Sequence, residues 1–195
     1  MHATLDDLCW PVRTERLVLR RATAQDSDQV WRYRRLEEVS RYMTAMLTDR
    51  EQFRAFFAEP DRLARTLVVE LDDRPGVIVG DLMVRVQDAW AQTEVADRAT
   101  GTQAEIGWAF DPAHHGHGYA TEASSELLRL CFDDLGVRRV EALCFADNEP
   151  SWRLMERLGM RREIHTIEES LHRSGVWMDG LGYAILEREW RGRRA

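Results

Sequence analysis

The segment EIGWAFDPAHHGHGYATEA, from Glu105 to Ala123, constrains the fold more than any other part of the chain. Ala104 to Phe110 reads as a strand with Glu105 within it, and Asp111 to Gly118 breaks regular structure at HHGHG. The long helix that follows has a buried stripe of Ala120, Ala123, Leu127, Leu130 and Cys131 and stops at Gly136. Arg139 to Ala146 is the next strand, apolar at Val140, Ala142 and Cys144. Strand, helix and strand in that order make a parallel crossover within a mixed sheet. Between the first strand and the helix, Gly116 and Gly118 let the backbone turn its amides toward one point. The helix start adds unpaired N–H groups and a partial positive charge. Those are the requirements for cradling a diphosphate, although a glycine turn before a helix is also an ordinary connection.

The flanking segments fill out an α/β (α+β) domain. Strands are expected at Glu15 to Arg21, Thr66 to Leu71, Val77 to Val86, Glu163 to Leu171 and Trp177 to Leu186. With the central pair they give a seven-stranded sheet, mostly antiparallel, with helices on both faces. Thr23 with Asp26 caps a first helix carrying Val30, Trp31 and Tyr33. Thr48 with Glu51 has the capping-box pattern for a second, with Phe53, Phe56 and Phe57 at helical spacing and Pro60 after it. A short helix starts near Asn148, with Pro150 in its first turn and Gly159 at its stop. From Gln87 to Gln103 the pattern dissolves into a polar stretch around Trp90, a candidate for substrate or subunit contact or a plain surface excursion. The tail Arg191 to Arg194 is expected to fray.

With 195 residues, 44% of them apolar, and no linker-like break, one domain spanning 1–195 is expected. The net charge of −7, with both signs interspersed, argues against nucleic acid as partner and suits a cationic substrate. Cys9, Cys131 and Cys144 are odd in number and lack metal-ligand spacing, so they read as core residues in a reducing compartment. His114, His115 and His117 lack companion ligands at zinc-site spacing, and no metal is expected. No apolar run is long enough to span a bilayer, and Asp6 and Asp7 stand where a signal peptide is basic. The expected location is cytoplasmic, with no membrane partner.

The segment His115, Gly116, His117, Gly118, Tyr119, Ala120 resembles the acyl-CoA signature of the GNAT superfamily, Gln/Arg-x-x-Gly-x-Gly/Ala. The resemblance continues through TERLVLRRAT at Thr14 to Thr23, NEPSWRLMERLGMRRE at Asn148 to Glu163 and SGVWMDGLGYAILEREW at Ser174 to Trp190, which look like the branch that includes ribosomal-protein-alanine N-acetyltransferases. It implies a GNAT-type domain that moves an acetyl group from acetyl-CoA to a primary amine, either a peptide N-terminus or a small molecule. By that resemblance, amides of Gly116 to Thr121 bind the CoA diphosphate, Trp108 and Phe110 flank the pantetheine arm, and Asn148 is either a CoA contact or a helix cap. His115 and His117 stand where the family usually has Gln or Arg and Lys or Arg. A histidine beside a diphosphate takes up a proton more readily, so CoA affinity is expected to strengthen as pH falls from about 8 to about 6.

Acyl transfer to an amine needs a neutral nucleophile, a donor to the carbonyl oxygen and a proton for the departing thiolate. The resemblance assigns the oxygen to a backbone N–H late in the Glu105 to Phe110 strand. Many superfamily members protonate the thiolate with a Tyr where this chain has Met155, which donates no proton. The nearest hydroxyl is Ser151, a position given this part in the resembling branch; a helix-start serine bonding local backbone is the plain alternative. Glu105 is the candidate base, with Glu168 and Glu169 as rivals, and each is also read as a solvated strand residue. An α-amine is about a tenth neutral at pH 7 and a lysine amine less than a thousandth, so an N-terminus needs the least help. The first reading is direct transfer in a ternary complex. The others are an acyl-CoA-binding module without turnover, and the same fold with succinyl-CoA held by Arg41, Arg85 or Arg98. A homodimer is compatible with all three.

Overall fold

The structure, a computed structural model, describes residues 3–193. They divide into two compact units: Asp7–Val84 with Trp108–Glu126, and Arg85–Gly107 with the residues from Leu127 on and those before Asp7. Strands β1 (Val12–Arg13), β2 (Leu17–Arg21), β3 (Thr66–Leu71) and β4 (Arg74–Gln87) follow one another antiparallel. Strands β5 (Gln103–Phe110), β6 (Arg139–Phe145), β7 (Arg161–Leu171) and β8 (Trp177–Leu186) take the order β5-β6-β8-β7. The β5–β6 pair is parallel, and β6–β8 and β7–β8 are antiparallel. Among the described residues eight strands form where seven were expected. The added one is two-residue β1, too short to show alternation.

In the first unit, Leu17, Val18 and Leu19 are all buried on β2, as are four successive residues of β3. A strand covered on both faces buries consecutive residues, so strict alternation gives way. Against this sheet pack α1 (Ser27–Arg34), α2 (Glu37–Ser40), α3 (Arg50–Phe57) and α4 (Pro60–Leu63). Val30 and Tyr33 from α1 and Phe53 and Phe57 from α3 share a core with Val68, Ile78 and Ala109. The expected Thr23–Asp26 capping box is present. For α3 the cap is Asp49, not Thr48: the Asp49 carboxylate accepts the Gln52 amide at 2.8 Å, and a three-atom reach from N-cap to N3 fits only from that position. Pro60 opens α4 rather than ending α3, since the first helical position needs no N–H. Asp81 on β4 is fully buried and accepts Tyr33 Oη at 2.6 Å and Arg34 Nε at 2.9 Å.

Helix α5 (Tyr119–Arg129) runs from the first unit into the second and continues as a wider turn at Leu130–Asp134. In the second unit, α6 (Glu149–Arg157) buries Leu154 and Met155. A last helix not expected from sequence, α7 (Glu187–Arg191), sets Trp190 against Phe132 with ring centroids 6.0 Å apart. Arg193 donates to the carbonyl oxygen of Leu158 at 2.9 Å, so the tail is tied down to that residue instead of fraying; Arg194 lies outside the described residues. The polar 87–103 stretch holds a 3-10 helix, Thr93–Arg98, and is pinned by Ala89 N to Ala99 O at 2.9 Å and Gly101 N to Asp88 Oδ1 at 2.8 Å. Trp90 on it is 90% exposed.

Candidate functional site

The glycine turn is built from both ends. At the end of β5, Asp111 N donates to Val79 O at 2.9 Å, and Phe110 lies so close to β4 that a Cβ on Gly80 would stand 2.4 Å from its Cδ1. Asp111 then caps a 3-10 turn, Pro112–His114, through Ala113 N at 3.0 Å, and His115 N closes on Pro112 O at 3.1 Å. Gly116 and Gly118 follow with φ of +79° and +80°, the left-handed region that only glycine enters at little cost. A Cβ on Gly116 would meet nothing within 4 Å. Glu122 N donates to Gly118 O at 3.1 Å. The His117 amide closes a turn over His115–Gly116, and among the described residues the amides of Gly116 and of Gly118 to Thr121 make no bond to another protein group, so five N–H groups lie around one turn at the mouth of an 11-residue helix. A helix start of this kind offers its donors and partial positive charge to an anion.

His115, Gly116, His117 and Gly118 are exposed, and Tyr119, Ala120 and Thr121 are half-buried. The His117 ring lies on Tyr119 with centroids 5.3 Å apart and planes 12° apart, and its Nδ1 is 3.3 Å from His114 O. Trp108 is half-buried on β5. Sequence reasoning missed Arg16 and Glu122. Arg16 donates through Nε to Glu122 Oε2 at 2.7 Å, through its backbone N to Glu122 Oε1 at 2.9 Å and through Nη1 to His117 O at 2.9 Å. Its guanidinium also lies 5.1 Å from the Tyr119 ring centre. Thr14 Oγ1 donates to the same carboxylate at 2.5 Å. Burial pushes the Glu122 carboxyl up, but Thr14 and Arg16 together hold it below the ordinary value. The two residues are 106 positions apart, and no local pattern links them.

The expected catalytic residues lie in the second unit. Ser151 sits in the first turn of α6 and is 9% exposed; among the described residues its hydroxyl bonds no local backbone, unlike an ordinary helix-start serine. Asn148 is the N-cap position of α6, but its side chain makes no cap bond; its carbonyl accepts Ser151 N at 3.1 Å. Met155, in the position of the family's Tyr, is a core residue at 1% exposure. Glu105 is ion-paired with Arg85, which occupies one of the cations considered for a succinyl donor. The parallel register runs from Gln103–Arg139 to Glu105–Glu141, and Ile106 and Gly107 have no register partner on β6 among the described residues. Glu168 and Glu169 occupy a bulge of β7. Glu168 has φ 45° and donates its amide to Asp179 Oδ1 at 2.9 Å, while Glu169 Oε2 accepts Ser170 Oγ at 3.0 Å.

Burial pushes the Cys144 thiol up to about 11 and the Cys131 thiol up to about 12, so neither is a thiolate nucleophile near neutral pH. Among the described residues no group of three or more His, Cys, Asp or Glu could hold a metal ion, and no helix is long and apolar enough to cross a membrane.

Residues 16–161 match the family model described as an acetyltransferase (GNAT) domain. The chain is 29% identical over 180 residues to the uncharacterized N-acetyltransferase YnaD of Bacillus subtilis (strain 168), covering 92% of this chain and 98% of that protein. The crystal structure of an acetyltransferase (GNAT family) from Bacillus anthracis shares 30% identity and a TM-score of 0.78, covering 92% of this chain and 100% of that one. Mycobacterium smegmatis RimJ, in complex with CoA-disulfide, is 25% identical with a TM-score of 0.69, covering 89% of this chain and 83% of that one. The strand–turn–helix with its cluster of amides falls inside the matched span, and the chain belongs to the GNAT family as an acyl-CoA-dependent N-acetyltransferase.

Proposed function

We propose that the protein uses acetyl-CoA as donor and transfers its acetyl group directly to a primary amine, a peptide N-terminus or a small molecule. The observation that carries the donor reading is the cluster of amides from Gly116 to Thr121, at two glycines of positive φ and a helix start. The donor's diphosphate would lie on these amides, and its thioester would supply the activated acetyl group. Trp108 and Phe110 lie on the strand leading into that turn and would flank the pantetheine arm. A neutral amine attacks the thioester carbonyl, whose oxygen takes a backbone N–H late in β5. The C–S bond breaks, Ser151 gives its proton to the thiolate, and the proton shed by the attacking nitrogen passes to solvent, from which Ser151 is reprotonated. Its free hydroxyl supports this role. The raised thiols of Cys131 and Cys144 argue against an acyl-cysteine relay.

For the base, Glu105 is committed to Arg85, whereas Glu169 on the β7 bulge is exposed. An α-amine acceptor, about a tenth neutral at pH 7, needs neither. The likeness to RimJ in complex with CoA-disulfide supports a CoA thioester as donor. The cytoplasm fits the interspersed charge and the thiol-bearing cysteines, and the 195 residues are read as one catalytic domain. A thiol-release screen of peptides and small amines against acetyl-CoA, with Ser151→Ala as control, tests the reading. Release of CoA with at least one amine is expected, and no release from any amine by a protein that binds CoA would turn the reading toward a binding module.

A further inference from the structure

We propose that Arg16 is a positioning residue for the donor site, a guanidinium that fixes the His117–Gly118 peptide plane so that the Gly118 amide faces the donor's diphosphate. The inference rests on the reading of the turn as the diphosphate site. A trans peptide is planar, with its carbonyl and N–H pointing in opposite directions. Arg16 Nη1 holds the His117 carbonyl at 2.9 Å, so the N–H of Gly118, across the same plane, points away from Arg16. Glu122 N holds the Gly118 carbonyl at 3.1 Å, and the Glu122 carboxylate accepts Arg16 Nε at 2.7 Å. The four residues therefore close a ring of hydrogen bonds, Arg16 to His117, Gly118, Glu122 and back.

Glycine at φ +80° has the least intrinsic preference of any residue, and nothing in Gly118 itself selects the orientation of its amide. The ring supplies that selection. Its cation is compensated: Glu122 takes the charge-assisted bonds, with Thr14 Oγ1 at 2.5 Å and Arg16 N at 2.9 Å completing the carboxylate's partners. Arg16 thus contributes geometry rather than net charge. A planar fork of several N–H donors holds a carboxylate and a carbonyl at fixed angles, a geometry that a lysine ammonium on its flexible stem does not impose.

Arg16→Ala and Arg16→Lys, compared with the wild-type protein, test this by calorimetric titration with CoA and by amide 1H–15N spectra with and without CoA. In the wild type, CoA is expected to shift the Gly118 amide resonance along with others from Gly116 to Thr121. Arg16→Ala is expected to weaken CoA binding about tenfold or more, on the loss of one charged-donor hydrogen bond, and to lose most of the Gly118 shift. Arg16→Lys keeps the charge and the pairing with Glu122 and is expected to stay nearer to Arg16→Ala; it carries the test if the alanine variant does not fold. Binding within about twofold of wild type with an unchanged Gly118 shift in Arg16→Ala, or full recovery in Arg16→Lys, would overturn the role of Arg16 alone. Wild-type protein that binds CoA without moving any amide from Gly116 to Thr121 would instead remove the diphosphate reading itself.

Discussion

Phe110 rests on Gly80: the missing side chain on β4 leaves the space its ring occupies, with Ala109 O only 2.8 Å from where a Cβ would be. The contact fixes the strand end from which the glycine turn departs. Gly80→Ala forces Phe110 or the backbone to move, and overpacking of this kind costs about 1–3 kcal/mol. Denaturant melts should show that loss together with a raised KM for acetyl-CoA; a variant as stable as wild type would mean that the ring moves aside freely.

Gly116→Ala separates backbone from space, because its Cβ meets no atom within 4 Å. An alanine at positive φ costs roughly 1–2 kcal/mol, and relaxing toward negative φ would turn the amides away. The expected result is weaker CoA binding with little change in kcat at saturating donor, measured by initial rates over a donor series.

Ser151→Ala should lower kcat by about a hundredfold or more while KM for acetyl-CoA stays within about twofold, the pattern of a lost proton donor. Met155→Tyr should not rescue it. At 1% exposure Met155 is enclosed, and a larger ring there should cost about 1–3 kcal/mol in a thermal or denaturant melt.

Cys144→Ala is expected to leave turnover unchanged, since burial holds the thiol near 11 and out of its nucleophilic form. A large loss of kcat, or an acetylated Cys144 peptide in mass spectra of protein quenched during turnover, would revive a relay.

Acid should unfold the first unit partly through Asp26. Burial pushes this carboxyl up, but hydrogen bonds from Arg20 (2.8 Å to each oxygen) and Thr23 N (2.8 Å) outweigh it and hold the group below its ordinary value. A depressed carboxyl contributes stability that is fully present above the unfolded value of about 4 and is lost as pH falls through the folded value. Arg20→Met should therefore cost about 2–3 kcal/mol at pH 7. It should also flatten the dependence of stability on pH below about 4, read from denaturant midpoints across that range.

Periodicity and punctuation made most of the chain readable in advance: the parallel crossover, the antiparallel pairs and the glycine turn all follow from residues within a few positions of one another. Helix caps and positive-φ glycines are local physics, so Thr23, Asp26, Gly116, Gly118, Gly136 and Gly159 stand where the sequence indicates. The misses were local ties at the margin of a pattern, such as Asp49 in place of Thr48. Others were segments too short or too polar to show a period, such as β1 and α7.

Side-chain partnership over long separations was decided only by tertiary structure. The sequence by itself determined that a turn able to offer amides to an anion precedes a helix, because glycine and helix geometry are properties of neighbouring residues. That Arg16 and Glu122 meet at that turn, that Arg85 occupies Glu105, and that Ser151 keeps its hydroxyl free depended on packing. Hydrogen bonds between distant residues reward no sequence pattern; they exist only once the sheet and helices have brought the donors and acceptors within about 3 Å.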